Sequence, residues 1–215
     1  MPTSEPSGTS DARTAFVAAG YDAMIDTWEI WKDQIRDDPR DEWCEELIAR
    51  LPAGARVVEL GCGGGTDETR RLAERFELTG VDLSVEQLRR ARRRIPNAEF
   101  VHGDLTALDL GAGSFEGVAS FYVFNHVPRE LLADLFVRIH GWLTPGGLFL
   151  VTLGASDNPG WTGEWLGAPT FFSGFPPETN RVLLADTGFT LLRDELVTIQ
   201  EPEGEGTFHW VLARQ

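Results

Sequence analysis

Val57-Val58-Glu59-Leu60-Gly61-Cys62-Gly63-Gly64-Gly65-Thr66-Asp67 reads as a strand, a glycine turn and the start of a helix. The apolar run from Val57 to Leu60 suits a strand buried on both faces. Four glycines then fall within five residues, and a helical pattern with Leu72, Ala73 and Phe76 on one side follows. Strand, glycine turn and helix together aim backbone N–H groups and a positive helix end at a ligand. Glycine is needed in such a turn because a Cβ blocks close approach and tolerates positive φ poorly. The spacing is G-x-G-x-G, with Thr66 where the dinucleotide fingerprint would place its last glycine.

Working outward, Leu78-Thr79-Gly80-Val81 forms a second apolar run that ends in Asp82, 21 residues after Gly61. An acid at that separation, at the end of a second strand, can accept hydrogen bonds from both ribose hydroxyls. A third run, Glu99-Phe100-Val101, leads into His102-Gly103-Asp104-Leu105. A fourth strand is expected from Gly117 to Phe121, and a fifth from Leu148 to Leu153 after Gly146-Gly147. Helical patterns alternate with these strands, which argues a parallel sheet with right-handed crossovers. Ser84 can cap one of these helices with Gln87 as its capping-box partner, and Pro128 suits the first residue of another. That latter helix carries a core stripe of Leu131, Leu132, Leu135, Phe136, Ile139 and Trp142. Arg89, Arg90, Arg92, Arg93 and Arg94 read as a solvated helix face near the negative end of the helix dipole.

Glu59-Leu60-Gly61-Cys62-Gly63-Gly64-Gly65, Gly80-Val81-Asp82-Leu83-Ser84 and Gly103-Asp104-Leu105 resemble the successive cofactor motifs of class I S-adenosylmethionine-dependent methyltransferases. Leu143-Thr144-Pro145-Gly146-Gly147 is similar to that family's turn before its fifth strand. The resemblance spans about residues 40 to 153. It implies an α/β fold: a doubly wound, mostly parallel seven-stranded sheet with helices on both faces and an antiparallel C-terminal strand. It also implies S-adenosylmethionine as cofactor. On that resemblance Gly61, Cys62, Gly63 and Gly65 form the loop beside the methionyl part, and Glu59 fixes that loop and the ligand's amino group. Asp82 would hold the ribose and Leu83 the adenine face; Asp104 and the Leu105 N–H would meet the adenine edge, and Phe121 would offer its carbonyl.

Domain organisation follows from the flanks. Residues 1–12 are polar and expected to be disordered, and 13–215 form a single domain. Helices expected over 13–52 include Tyr21, Trp28 and Trp31, and the resembled family commonly places such a segment over the donor. Residues 154–177, rich in glycine and proline, hold Trp161, Trp165, Phe171, Phe172 and Phe175 and are expected to act as an aromatic cap. Tyr21 is a candidate for the cofactor; Trp28, Trp31, His126, Trp161, Trp165, Phe172 and Ser173 are candidates for the acceptor. A helix is expected over 178–187, and two final strands, about 189–199 and 207–214, flank an acidic turn. Trp43 and Cys44 read as helix packing.

His126 is the histidine just beyond the fourth strand, where open α/β sheets bind ligands. An ordinary value near 6.5 would suit a general base, but the residue can equally hydrogen-bond the following helix. The net charge of −15 repels phosphate backbones and acidic membranes, so neither nucleic acid nor membrane is an expected partner. No apolar run approaches the roughly 18 residues of a membrane span. Two cysteines make neither a disulfide framework nor a zinc site, which fits a reducing cytoplasm. No acid follows the fourth strand, and Asn125-His126-Val127-Pro128 departs from the Asn/Asp-Pro-Pro-Tyr type that methylates DNA amino groups. The expectation is metal-independent methyl transfer to O, N or C of a small aromatic or apolar acceptor, by a monomer or homodimer. A nicotinamide-dinucleotide oxidoreductase, and an S-adenosylmethionine-binding protein without methyl transfer, remain open alternatives.

Overall fold

The structure, a computed structural model, describes residues 12–215. The chain runs α1 (Ala12–Lys32), α2 (Arg40–Arg50), β1 (Arg56–Leu60), α3 (Asp67–Arg75), β2 (Glu77–Asp82), α4 (Val85–Arg94), β3 (Glu99–His102) and β4 (Phe115–Ser120). It continues with two short 3₁₀ turns, α5 (Leu132–Trp142), β5 (Leu143–Gly154), β6 (Asn158–Trp165), β7 (Ala168–Gly174), α6 (Pro177–Asp186), β8 (Thr190–Glu201) and β9 (Gly204–Arg214). The expected disorder of residues 1–11 lies outside the described residues; Ala12 already belongs to α1.

Seven strands form one sheet in the order β3-β2-β1-β4-β5-β9-β8. β1, β2, β3, β4 and β5 pair in parallel, and β9 alone runs against its neighbours. Alternate side chains of each strand point to opposite faces. Val57, Leu78 and Leu150 therefore meet Trp43, Leu47, Leu72 and Leu88 of α2, α3 and α4 on one face. Val58, Val81 and Val151 meet Leu135, Phe136 and Leu184 of α5 and α6 on the other. Trp43 is wholly interior, stacked on Trp210 at 5.6 Å between ring centroids, in line with its sequence reading. The sheet is that of a doubly wound α/β fold, and its strand order reverses between β1 and β4. The crevice outside their carboxyl ends is where such sheets take ligands.

Four details differ from the sequence expectations. Residues 158–174 are a two-stranded hairpin rather than a loop. Leu166 and Gly167 both take positive φ, +53° and +79°, which makes the two-residue connection a twist-matched hairpin turn. Pro128 lies outside the helix: its ψ of 123° is extended, and α5 starts at Leu132 after a 3₁₀ turn. The Ser84 hydroxyl does accept the Gln87 N–H at 3.0 Å, but the Gln87 side-chain oxygen has no partner, the Ser84 N–H going to Asp82 Oδ1 instead. The α4 arginines are not merely solvated. Arg90 pairs with Asp26 at 2.5 Å and Glu29 at 3.2 Å, and Arg94 with Glu29 at 2.6 Å. These pairs tie α1 to α4. On its other side α1 rests on β7 at Gly20, where a Cβ would lie 2.0 Å from the Pro169 carbonyl oxygen. Together they lay α1 across the crevice.

Candidate active site

The loop after β1 closes on the ends of β2 and β4. The Gly61 and Cys62 N–H groups both donate to the Val81 carbonyl, at 2.7 and 3.0 Å. The Gly63 N–H donates to Asp82 Oδ2 at 2.8 Å, and the Ser84 N–H to Asp82 Oδ1 at 2.8 Å. Asp82 is thereby fixed at the mouth of the switch point. Burial pushes its carboxyl up, while those two N–H groups work the other way. The three glycines serve different ends. A Cβ on Gly61 would strike the Val123 side chain at 2.2 Å, and one on Gly65 would meet Ile95 at 2.9 Å. At Gly63, with φ +54°, it would meet nothing within 4 Å. Gly61 and Gly65 therefore serve packing, and Gly63 is the one whose backbone faces open space.

A cleft of about 130 Å³ opens there. Of the residues expected at the cofactor, Tyr21, Glu59, Gly61, Cys62, Gly63, Asp82, Leu83, Leu105 and Phe121 line it. Gly65 and Asp104 do not line it. Asp104 Oδ1 instead accepts from the Thr106 N–H and hydroxyl at 2.8 and 2.7 Å, capping its own turn. Glu59 is 2% exposed, and its Oε2 has no hydrogen-bond partner. Burial pushes its carboxyl up to about 8, with Glu68 and Asp82 adding to the effect and the Thr69 hydroxyl and Arg40 opposing it. Cys62 is buried, and burial raises its thiol well above the ordinary range, so it is an inert packing group.

Arg40, Thr66 and Tyr122 also line the cleft and were not anticipated. Arg40 Nε donates to Asp38 Oδ2 at 2.7 Å, and its guanidinium lies 5.4 Å from the centre of the Tyr122 ring. Tyr122, at φ +59°, donates its hydroxyl to Asp38 Oδ1 at 2.9 Å. Nothing in the local sequence marks Arg40, since it reaches the cleft only because α2 packs against α3 and this face of the sheet. Tyr122 is positioned at the end of β4, and that location was the available signal.

A second cavity, about 240 Å³, adjoins the first and shares Tyr21, Trp28, Tyr122 and His126 with it. Of the residues expected at the acceptor, Trp28, Trp31, His126, Trp165, Phe172 and Ser173 line it, joined by Asn125, Glu201 and Phe208. Trp161 does not; it is 45% exposed and packs on Phe172 at 5.8 Å. The helix and the hairpin meet over this cavity through Trp31 and Trp165, edge to face at 4.9 Å. The Ser173 hydroxyl donates to the Val127 carbonyl at 2.5 Å, pinning β7 to the loop after β4.

His126 sits at the junction of the two cavities, 8% exposed. Its Nδ1 lies 2.9 Å from the Phe171 carbonyl, which can only accept, so Nδ1 carries the proton. Nε2 therefore accepts from the Tyr21 hydroxyl at 2.9 Å. Burial pulls the imidazole down to about 4, against the ordinary 6.5 expected from sequence, so at neutral pH it is uncharged. Burial and the Asp82 charge push the Tyr21 hydroxyl above its ordinary range. The pair is a neutral hydrogen-bonding unit between the cavities. Among the described residues no group of three His, Cys, Asp or Glu side chains could hold a metal ion, and no helix is long and apolar enough to cross a membrane.

Residues 57–147 match the family model of a methyltransferase domain. An uncharacterized methyltransferase of Synechocystis is 30% identical over 168 residues, covering 71% of this chain and 78% of that protein. A trans-aconitate 2-methyltransferase of Paracidovorax citrulli is 35% identical over 127 residues, covering 54% of this chain and 46% of that protein. The chain spans about half the length of the trans-aconitate methyltransferases it matches. A solved structure of Burkholderia thailandensis 1,6-didemethyltoxoflavin-N1-methyltransferase, with 1,6-didemethyltoxoflavin and S-adenosylhomocysteine bound, superposes with a TM-score of 0.67. It is 23% identical, covering all of this chain and 93% of that one, and the likeness is one of fold.

Proposed function

The chain belongs to the class I S-adenosylmethionine-dependent methyltransferases, and we propose that it methylates an O, N or C atom of a small, flat or apolar organic acceptor without a metal. The observation that carries this reading is the pair of adjoining cavities, one built from the glycine loop and Asp82, the other walled by aromatic side chains, with Tyr21 and His126 common to both.

The residues of the first cleft fit the donor. Asp82 offers its remaining lone pairs to the ribose hydroxyls, and the open space beside the Gly63 Cα leaves room for the chain beyond. Glu59, with a buried unpartnered oxygen, and Arg40 suit the ammonium and carboxylate of an amino-acid end. Leu83 and Leu105 supply apolar faces for the adenine. When bound, S-adenosylmethionine would supply a sulfonium methyl carbon: an acceptor lone pair would form the new bond, the bonding pair would leave with sulfur, and the proton of the methylated O–H or N–H would be lost to water when the product leaves.

The protein's part is to bring the reacting atoms to about 3–3.5 Å, in line, and to exclude water. α1 and the β6–β7 hairpin cover the second cavity and do the excluding. Tyr21, held by His126 Nε2, keeps an oxygen lone pair for the acceptor's O–H or N–H and so orients the attacking atom. His126 acts as a positioning residue, because a neutral imidazole near 4 is a weak base. Mass spectrometry of the purified protein after mild denaturation tests the reading. Co-purified S-adenosylmethionine or S-adenosylhomocysteine is expected; a co-purified nicotinamide dinucleotide would overturn it.

A further inference from the structure

The charge of the acceptor can be read from the second cavity. Tyr21, Trp28, Trp31, Tyr122, Trp165 and Phe172 supply its walls, and neither lysine nor arginine is among its lining residues. The acidic group that lines it is Glu201, the last residue of β8, half-buried beneath the end of α1. The charge that acts on Glu201 is that of Glu203, another carboxylate, and burial and that charge together push its carboxyl up. Glu203 is itself engaged, accepting from Trp31 Nε1 at 2.7 Å. Arg36 and Gln200 exchange backbone hydrogen bonds at 3.0 Å, which holds the end of α1 against this hairpin and fixes Glu201 in place. In the same cavity lining, the side-chain oxygen of Asn125 is buried without a partner and can accept an N–H.

A carboxylate, an open amide acceptor and a ring of aromatic faces attract a cation. Aromatic faces draw ammonium groups through their quadrupole, more strongly where water is excluded. An anionic acceptor would meet Glu201 there, with no lysine or arginine among the lining residues; Arg40 and Lys32 lie over the Tyr122 and Trp28 rings without lining the cavity. We propose that the acceptor is a flat ring bearing an amine: Glu201 and the tryptophans hold its protonated nitrogen, and a separate uncharged atom of the ring system, which keeps its lone pair, takes the methyl group. This rests on the reading of the two cavities as donor and acceptor sites. It also separates this chain from the trans-aconitate relatives, whose named acceptor is a polycarboxylate.

The test uses matched probes that differ only in charge: tryptamine, tryptophol and indole-3-propionate, with 2-phenylethylamine, 2-phenylethanol and 3-phenylpropanoate as the smaller-ring set. Binding to the full-length protein saturated with S-adenosylhomocysteine is followed by tryptophan fluorescence and calorimetry. The amine of at least one set should bind about tenfold more tightly than its alcohol, a difference of one tryptophan–cation contact and one charge pair, and the acid more weakly still. Glu201→Gln should bring amine and alcohol to within about threefold, with the near-ultraviolet circular dichroism unchanged. Acids binding as tightly as amines, no amine binding in either set, or a preference that survives Glu201→Gln would each overturn the proposal. S-adenosylhomocysteine affinity is measured separately: its absence would sink the methyltransferase reading, while the charge preference is still judged on the unliganded protein.

Discussion

Glu59→Gln is the most informative single substitution. The carboxyl lies at the end of β1, 2% exposed, and burial raises it to about 8 from an ordinary 4.5. In the free protein at pH 7 it is therefore mostly protonated, and an amide is close to isosteric with what it replaces. A carboxyl raised by folding favours the fold at pH below its unfolded value and loses that favour as pH climbs to its folded value. The loss is about 1.4 kcal/mol for each pH unit over roughly 3.5 units, at most about 5 kcal/mol, since relaxation around the new charge reduces it. Glu59→Gln has nothing to titrate. Urea unfolding of both proteins between pH 4 and pH 9 should show the variant gaining on the wild type by several kcal/mol as pH rises. Stability curves that stay parallel to within about 1 kcal/mol would refute the reasoning. The same substitution reports on the donor. An ammonium bound beside Glu59 would draw the carboxyl into its ionised form, so binding at pH 7 should release about 0.9 proton from the wild type. Calorimetry in buffers of different ionisation enthalpy should find that release, and find none for Glu59→Gln.

Three further outcomes are expected. Asp82→Ala removes the charged acceptor at the switch point and should weaken S-adenosylhomocysteine binding roughly 10–150-fold by calorimetry, the equivalent of about 1.5–3 kcal/mol; unchanged affinity would remove Asp82 from the site. Trp165→Ala strips the ring that meets Trp31 at 4.9 Å and should impair acceptor binding or turnover while donor affinity stays within about threefold; equal damage to both would make the hairpin a scaffold only. Treatment with EDTA should leave S-adenosylhomocysteine production intact, and a loss restored by magnesium would contradict metal-independent transfer.

The core of the fold was legible because it is written in local chemistry. Val57–Leu60 followed by glycines at positive φ, and Asp82 ending the next apolar run, each require their own conformation whatever surrounds them. The β6–β7 hairpin was not legible. Its strands carry Pro159, Gly160, Gly163 and Pro169, its register shifts between Asn158 and Trp161, and its Leu166-Gly167 turn lacks the usual Asn-Gly or Asp-Gly signature. What holds it is long-range: β7 docks on α1 and on the turn after β4. In the first cleft most residues read from the strand ends are lining residues, whereas Arg40 comes from a distant helix and leaves no local mark. Asp104 shows the reverse case: its motif is intact, yet its carboxylate turns to Thr106. The second cavity depends most on long-range packing. Trp31 and Trp165 were visible as aromatics without partners, but Glu201 enters only because the far end of the β8–β9 hairpin folds back under α1.

The most direct measurement is a calorimetric titration of the purified protein with S-adenosylmethionine and S-adenosylhomocysteine, set against NAD and NADP under the same conditions. Saturable binding of the sulfonium donor and its thioether product at one site per chain, with neither dinucleotide competing, is the expected result. Failure of both adenosyl compounds to bind, or tighter binding of a dinucleotide in the same cleft, would contradict the assignment of the Gly63–Asp82 crevice as a methyl-donor site.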